Sequence, residues 1–118
     1  MRINRKLVTL LGTTVILGGM AIIPMGASAE GNEAQELAFS NKKGNCLACH
    51  QIAGGVSGGT IAPPLMAMKS RYPDRAKLRA QIYDATVANP ETSMPPFGKH
   101  KILSDQELEM VVDFIWSL

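Results

Sequence analysis

Cysteine is scarce in this 118-residue chain: there are two, Cys46 and Cys49, three positions apart. A disulfide between them would close a tiny loop and add little stability. A disulfide-stapled scaffold is therefore excluded. Aromatic residues make up 5% of the chain, with a single Trp, and no basic stripe accompanies them, which leaves no surface of the kind that binds nucleic acid. No segment alternates apolar and polar at period two, so no sheet is predicted. There is no internal repeat and no low-complexity block. No run of clear bilayer-spanning length is present either. The one candidate, Leu7–Ile23, falls slightly short of the ~20 apolar residues a spanning helix needs, is Gly-rich, and ends at Pro24.

What is present divides the chain in two. Residues 1–29 carry Arg2, Arg5 and Lys6 with no acidic residue, then the apolar run, then the small-residue triplet Ala27-Ser28-Ala29. That order describes a secretory signal peptide cut after Ala29, which leaves residues 30–118 as one exported domain in the periplasm with no stable membrane insertion. The rival is an uncleaved anchor helix. Of the 12 Lys and Arg, three leave with the leader, so nine face 10 acidic residues, a net of about −1. A domain this short buries a small fraction of its surface and needs a staple or a bound group to complete its core.

Helical signals punctuate the domain. Residues 30–43 are predicted as a first helix, with Asn32 as cap, Glu33 and Glu36 in the first turn, and Ala34, Leu37, Ala38 and Phe39 as a narrow apolar face stopped by Gly44-Asn45. The Gly-rich stretch 52–64 reads as loop, and residues 65–71 as a short helix. Pro73-Asp74 opens a helix running to about Val87. Its buried stripe is Leu78, Ile82, Ala85 and Tyr83, and Arg75, Lys77, Arg79 and Asp84 are expected in solvent. Asn89-Pro90 ends it, and residues 91–102 form a second loop. Ser104, with Glu107 three residues on, has capping-box spacing. Leu108, Val111, Val112, Ile115 and Trp116 then share one helical face.

Cys46-Leu47-Ala48-Cys49-His50 reads C-x-x-C-H, the c-type haem attachment pattern. Two thiols about one helical turn apart can each form a thioether with one vinyl group of a single haem. His50, the next residue, projects its imidazole toward the iron as proximal ligand. A thioredoxin-like dithiol also uses C-x-x-C, but it follows a strand in a βαβ setting, and none is present. A zinc site needs about four ligands, which Cys46, Cys49, His50 and the distant His100 would have to supply.

Four methionines remain after the leader: Met66, Met68, Met94 and Met110. Met110 lies off the apolar stripe of the last helix. Met66 and Met68 follow Pro63-Pro64-Leu65, where packing against a haem edge suits them. Met94 lies 44 residues after His50 in a loop. Pro95 holds it extended, and Pro95-Pro96 stiffens the chain just beyond it. Met94 is therefore the candidate sixth ligand, with His100 as the alternative. His/Met ligation raises the reduction potential and suits electron transfer.

In this order the elements resemble a class I cytochrome c. The resemblance implies an all-α fold of three to five helices around one covalent haem c. It implies a first and last helix crossing through a small residue, Ala34 or Ala38, against Trp116. It also implies that the Pro63 carbonyl orients the His50 ring. A narrower set, Lys43–His50, Pro63-Pro64-Leu65, Arg71–Asp74, Lys77-Leu78-Arg79, Met94–His100 and Val112–Leu118, resembles the SoxX family, the monohaem subunit of the SoxAX cytochrome of sulfur oxidation. That resemblance implies a SoxA-like haem subunit as heterodimer partner, the SoxYZ carrier as the site of sulfur chemistry, and a small cytochrome c as electron acceptor. The chain has no third cysteine and so no thiolate for a catalytic haem. It would be a non-catalytic electron-transfer subunit of a thiosulfate-oxidising L-cysteine S-thiosulfotransferase, with no catalytic residue of its own. The alternative is a free-standing periplasmic carrier to an oxidase. Two basic stretches, Lys69–Arg79 and Lys99-His100-Lys101, read either as solvated faces or as a surface that attracts an acidic partner.

Overall fold

The computed structural model describes residues 27–118, with side chains from residue 31 onward. The predicted leader lies outside the described residues as far as Gly26. Four α-helices organise the rest: α1 (Ala27–Phe39), α2 (Met68–Arg71), α3 (Arg75–Tyr83) and α4 (Asp105–Ser117), with 3-10 turns at Cys46–Ala48 and Ala85–Val87. Among the described residues there is no strand. An isolated parallel bridge, Ile52 to Leu65, pinches the two ends of the Gly-rich loop together. The fold is all-α, as the sequence predicts.

The last helix forms for the reasons visible in its sequence. Ser104 Oγ accepts from the Glu107 N–H at 3.2 Å and the Glu107 carboxylate accepts from the Ser104 N–H at 2.8 Å, a complete capping box. Leu108, Val111, Val112 and Ile115 are buried along one stripe. Burial of side chains of this size contributes about 1.5–3 kcal/mol each. The stripe packs on α1 and α3 and joins Ala38, Leu78, Ile82 and Leu103 in one core cluster.

The first helix differs from its predicted span. It ends at Phe39, four residues early, and Asn32 lies inside it rather than at its cap. Ser40–Gly44 forms a turn instead: Gly44 N–H donates back to the Leu37 carbonyl at 3.0 Å and Asn45 N–H to Ser40. A Cβ on Gly44 would come within 2.9 Å of that Leu37 oxygen, so glycine permits the close return. Where α1 meets α4, Phe39 and Phe114 stack edge to face with centroids 6.0 Å apart, and Lys43 pairs with Glu107 at 2.7 Å. The aromatic at this crossing is Phe114, not Trp116. The Trp116 indole N–H needs an acceptor when covered and finds the Tyr72 carbonyl at 3.0 Å, with Lys69 over its ring.

The middle helix also ends early. Asp74 caps it by accepting from the Ala76 N–H. It stops at Tyr83 because the Asp84 carboxylate accepts from the N–H and the hydroxyl of Thr86. A side chain that bonds backbone two residues on competes with the helix, and a 3-10 turn comes next. Three residues expected in solvent are held in ion pairs, and one of them, Asp84, is buried. Arg75 bridges Glu109 and Asp113, Arg79 pairs with Glu109, and Asp84 is buried against Lys99. The arginines stitch α3 to α4 and hold the Glu109 carboxyl below the ordinary range.

Candidate functional site

The C-x-x-C-H segment is a tight turn rather than a length of helix. Asn45 enters it in the left-handed region at φ 47°. The Cys49 and His50 N–H groups both return to the Cys46 carbonyl, at 3.2 and 2.9 Å. This places the two thiols and the imidazole on one short, hydrogen-bonded unit. Both thiols are free and half-buried.

The Gly-rich loop is laced onto that turn. Gly59 N–H donates to the Leu47 carbonyl at 2.7 Å, Ala62 N–H to the Cys49 carbonyl at 3.0 Å, and Leu65 N–H to the Gln51 carbonyl at 2.9 Å. A Cβ on Gly59 would drive into the Ala48 carbonyl, so only glycine allows the lacing to close this tightly. The consequence is geometric: the Pro63 carbonyl oxygen sits 2.6 Å from His50 Nδ1. A carbonyl only accepts, so Nδ1 carries a proton, and in the neutral ring that leaves the Nε2 lone pair available to a metal. Arg71 donates to the neighbouring Pro64 carbonyl at 2.8 Å and to the Met68 sulfur at 3.5 Å, which fixes the loop to α2.

Met94 lies in the second loop, half-buried at the margin of the core, with its N–H on the Thr92 hydroxyl at 3.1 Å. Cys46, Leu47, Leu65, Tyr83 and Ile102 border the same core cluster and are likewise only partly covered. Met68 is wholly buried and Met66 exposed. His100 is exposed. Among the described residues no three His, Cys, Asp or Glu side chains gather as a metal cluster, so the zinc reading gains no geometric support. The dithiol reading meets an electrostatic objection. Burial pushes the Cys46 thiol up to about 11, with Cys49 adding to the rise, whereas a reactive thiol needs its pKa lowered.

The comparisons decide the family. The family described as "Cytochrome C oxidase, cbb3-type, subunit III" matches residues 29–115. The chain is a class I cytochrome c domain. As a member of that family it is a c-type electron carrier, and its Cys46/Cys49 spacing is consistent with covalent haem c. Among solved structures, the cytochrome domain is similar to a chain in "Crystal structure of SoxXA from P. pantotrophus", at 31% identity and a TM-score of 0.65, covering 74% of this chain and 80% of that one. No curated protein sequence matches it. No helix among the described residues is long and apolar enough to cross a membrane.

The donor set fits a haem c. Two thiols lie on one turn, an imidazole presents a free Nε2, and a thioether sits in a second loop at the border of the same core. Sequence reasoning did not find that Arg71 holds the Pro63-Pro64 loop, nor that Asp84 is buried against Lys99. The signal available for Asp84 was Asp-x-Thr directly after a helix, a pattern that bonds locally and breaks the helix.

Proposed function

We propose that this cytochrome domain is the monohaem electron-transfer subunit of a SoxAX-like complex in the periplasm. A bound haem c would supply one-electron redox chemistry. Cys46 and Cys49 would hold it through thioethers, and His50 and Met94 would supply an imidazole and a thioether to its iron. The Pro63 carbonyl keeps the His50 proton on Nδ1, which aims Nε2 and raises its basicity, as hydrogen-bonded outer partners of ligands do. The soft Met94 sulfur would favour the reduced metal and raise the potential.

In the complex, thiosulfate and a cysteine thiol of the SoxYZ carrier join through a new S–S bond, with release of one proton and two electrons. That chemistry belongs to a SoxA-like partner. This chain accepts the electrons one at a time and hands them to a small diffusible cytochrome c. The support is the 31% identity to the SoxXA chain over 80% of that chain's length, joined to the ordered motifs from Lys43 to Leu118. Co-expression with a SoxA-like subunit, with haem maturation, tests it. A stable heterodimer whose thiosulfate-dependent reduction of a small cytochrome c requires this chain is the expected result. A chain that purifies alone and leaves that activity unchanged would overturn it.

The match to an oxidase-subunit family favours a second reading, a free-standing carrier to an oxidase. Rapid oxidation of the isolated reduced protein by oxidase-containing membranes, with no effect of a SoxA-like subunit, would select it.

A further inference from the structure

Asp84 is the one buried charged side chain among the described residues, and nothing in the electron-transfer reading uses it. Its carboxylate is fully engaged: one oxygen accepts from the Thr86 N–H and hydroxyl, and the other from Lys99 Nζ at 2.7 Å. Lys99 belongs to the loop that carries Met94. The same loop docks on the end of α3 through its backbone, with the Gly98 and Lys99 N–H groups both donating to the Tyr83 carbonyl at 3.1 and 3.2 Å. A Cβ on Gly98 would enter the Tyr83 ring. Phe97 is buried in the core, and the Leu103 N–H donates to its carbonyl.

Only Pro95 and Pro96 separate Met94 from this docked segment. Their φ angles are fixed by the ring, so little slack lies between the sulfur and the anchor. We propose that the Asp84–Lys99 pair is a latch that positions Met94 toward the iron by fixing residues 97–99 on the end of α3. The inference rests on the haem reading. Asp84 and Lys99 are positioning residues: neither needs to touch the cofactor, and their effect passes through Gly98, the two prolines and Met94.

The test uses the haem-loaded protein and three variants. Asp84→Asn keeps an oxygen for Thr86 but removes the charge facing Lys99. Lys99→Gln cuts the pair from its more exposed side, where folding is least at risk. Lys99→Arg restores a cation. Two signals are read: the sulfur-to-iron absorption of the oxidised form, and hydrogen exchange at the Gly98 and Lys99 amides. Asp84→Asn and Lys99→Gln are expected to retain covalent haem and helical content, to weaken the absorption, and to speed exchange at both amides about tenfold through local opening. Lys99→Arg is expected to recover most of both signals. A wild-type absorption that persists unchanged in Asp84→Asn and Lys99→Gln overturns the latch and leaves the haem reading intact. A wild-type protein with no such absorption removes Met94 as ligand, and the latch's purpose with it.

Discussion

His50 Nδ1 donates to the Pro63 carbonyl oxygen at 2.6 Å across the Gly-rich loop. This bond ties a side chain of the C-x-x-C-H turn to the far end of the Gly-rich segment. The loop is therefore part of the ligand's support, and any contact that fixes the loop also fixes the imidazole.

Arg71 is the clearest such support, since it reaches the Pro64 carbonyl at 2.8 Å from α2. Replacing it by Ala is expected to cost about 1 kcal/mol, the usual net worth of a hydrogen bond. Urea unfolding of the holoprotein measures this. An unchanged midpoint would mean that the loop holds itself without Arg71.

Met94→Ala is expected to leave haem covalently attached while lowering the reduction potential and abolishing the sulfur-to-iron absorption of the oxidised protein. Loss of a thioether ligand removes its preference for the reduced iron. Redox titration with a visible and near-infrared spectrum checks both. An absorption that survives would assign the ligand to another methionine.

Ser104→Ala removes the acceptor for the Glu107 N–H and half of the capping box. The expected loss is about 1 kcal/mol, typical of an N-cap serine, with no change in the visible spectrum. Thermal unfolding followed at a helix band reads the first part and absorbance the second.

Acid should destabilise the fold by a route legible in its ion pairs. Lys99 and Thr86 hold the Asp84 carboxyl below its ordinary value, Lys43 and the Ser104 N–H do the same for Glu107, and Arg79 and Arg75 for Glu109. The unfolded chain therefore binds more protons than the folded one in this range. The stabilisation is fully present above the ordinary carboxylate values and is lost as pH falls through them toward the lower folded ones. Denaturant midpoints measured from pH 6 downward should fall. Glu109→Gln should flatten the fall, and a midpoint independent of pH would contradict the ion-pair assignment.

Much of this was legible in the sequence where local signals agree. The last helix had its cap, its first-turn acids and its apolar stripe in one register, and it formed as those signals require. The first helix had no comparable stop. Its end is set by Gly44 folding back onto the Leu37 carbonyl, a contact that periodicity does not encode. The middle helix looked continuous because Ala85 fell on its apolar face, yet Asp84 captured Thr86 and broke it. Trp116 was misassigned because its polar N–H, not its bulk, chose its neighbour. The basic stretch Lys69–Arg79 looked like an open charged face. Lys69, Arg71, Arg75 and Arg79 are engaged within the chain, by a ring, a carbonyl and the Glu109 and Asp113 carboxylates, and the partners of Lys69, Arg75 and Arg79 come from segments distant in sequence. The C-x-x-C-H turn was legible since its chemistry is contiguous, whereas the lacing that brings the Pro63 carbonyl to His50 is visible only in the folded chain.

The most direct measurement is the mass of the exported, matured protein after denaturation, taken beside that of Cys46→Ala/Cys49→Ala. The wild-type chain is expected to begin at Glu30, to carry the added mass of one haem that denaturant does not remove, and to show sharp α and β bands on reduction. The double variant should retain no denaturation-resistant haem and little folded protein. A wild-type chain that is colourless and of unmodified mass, yet compact and stable, would contradict the account.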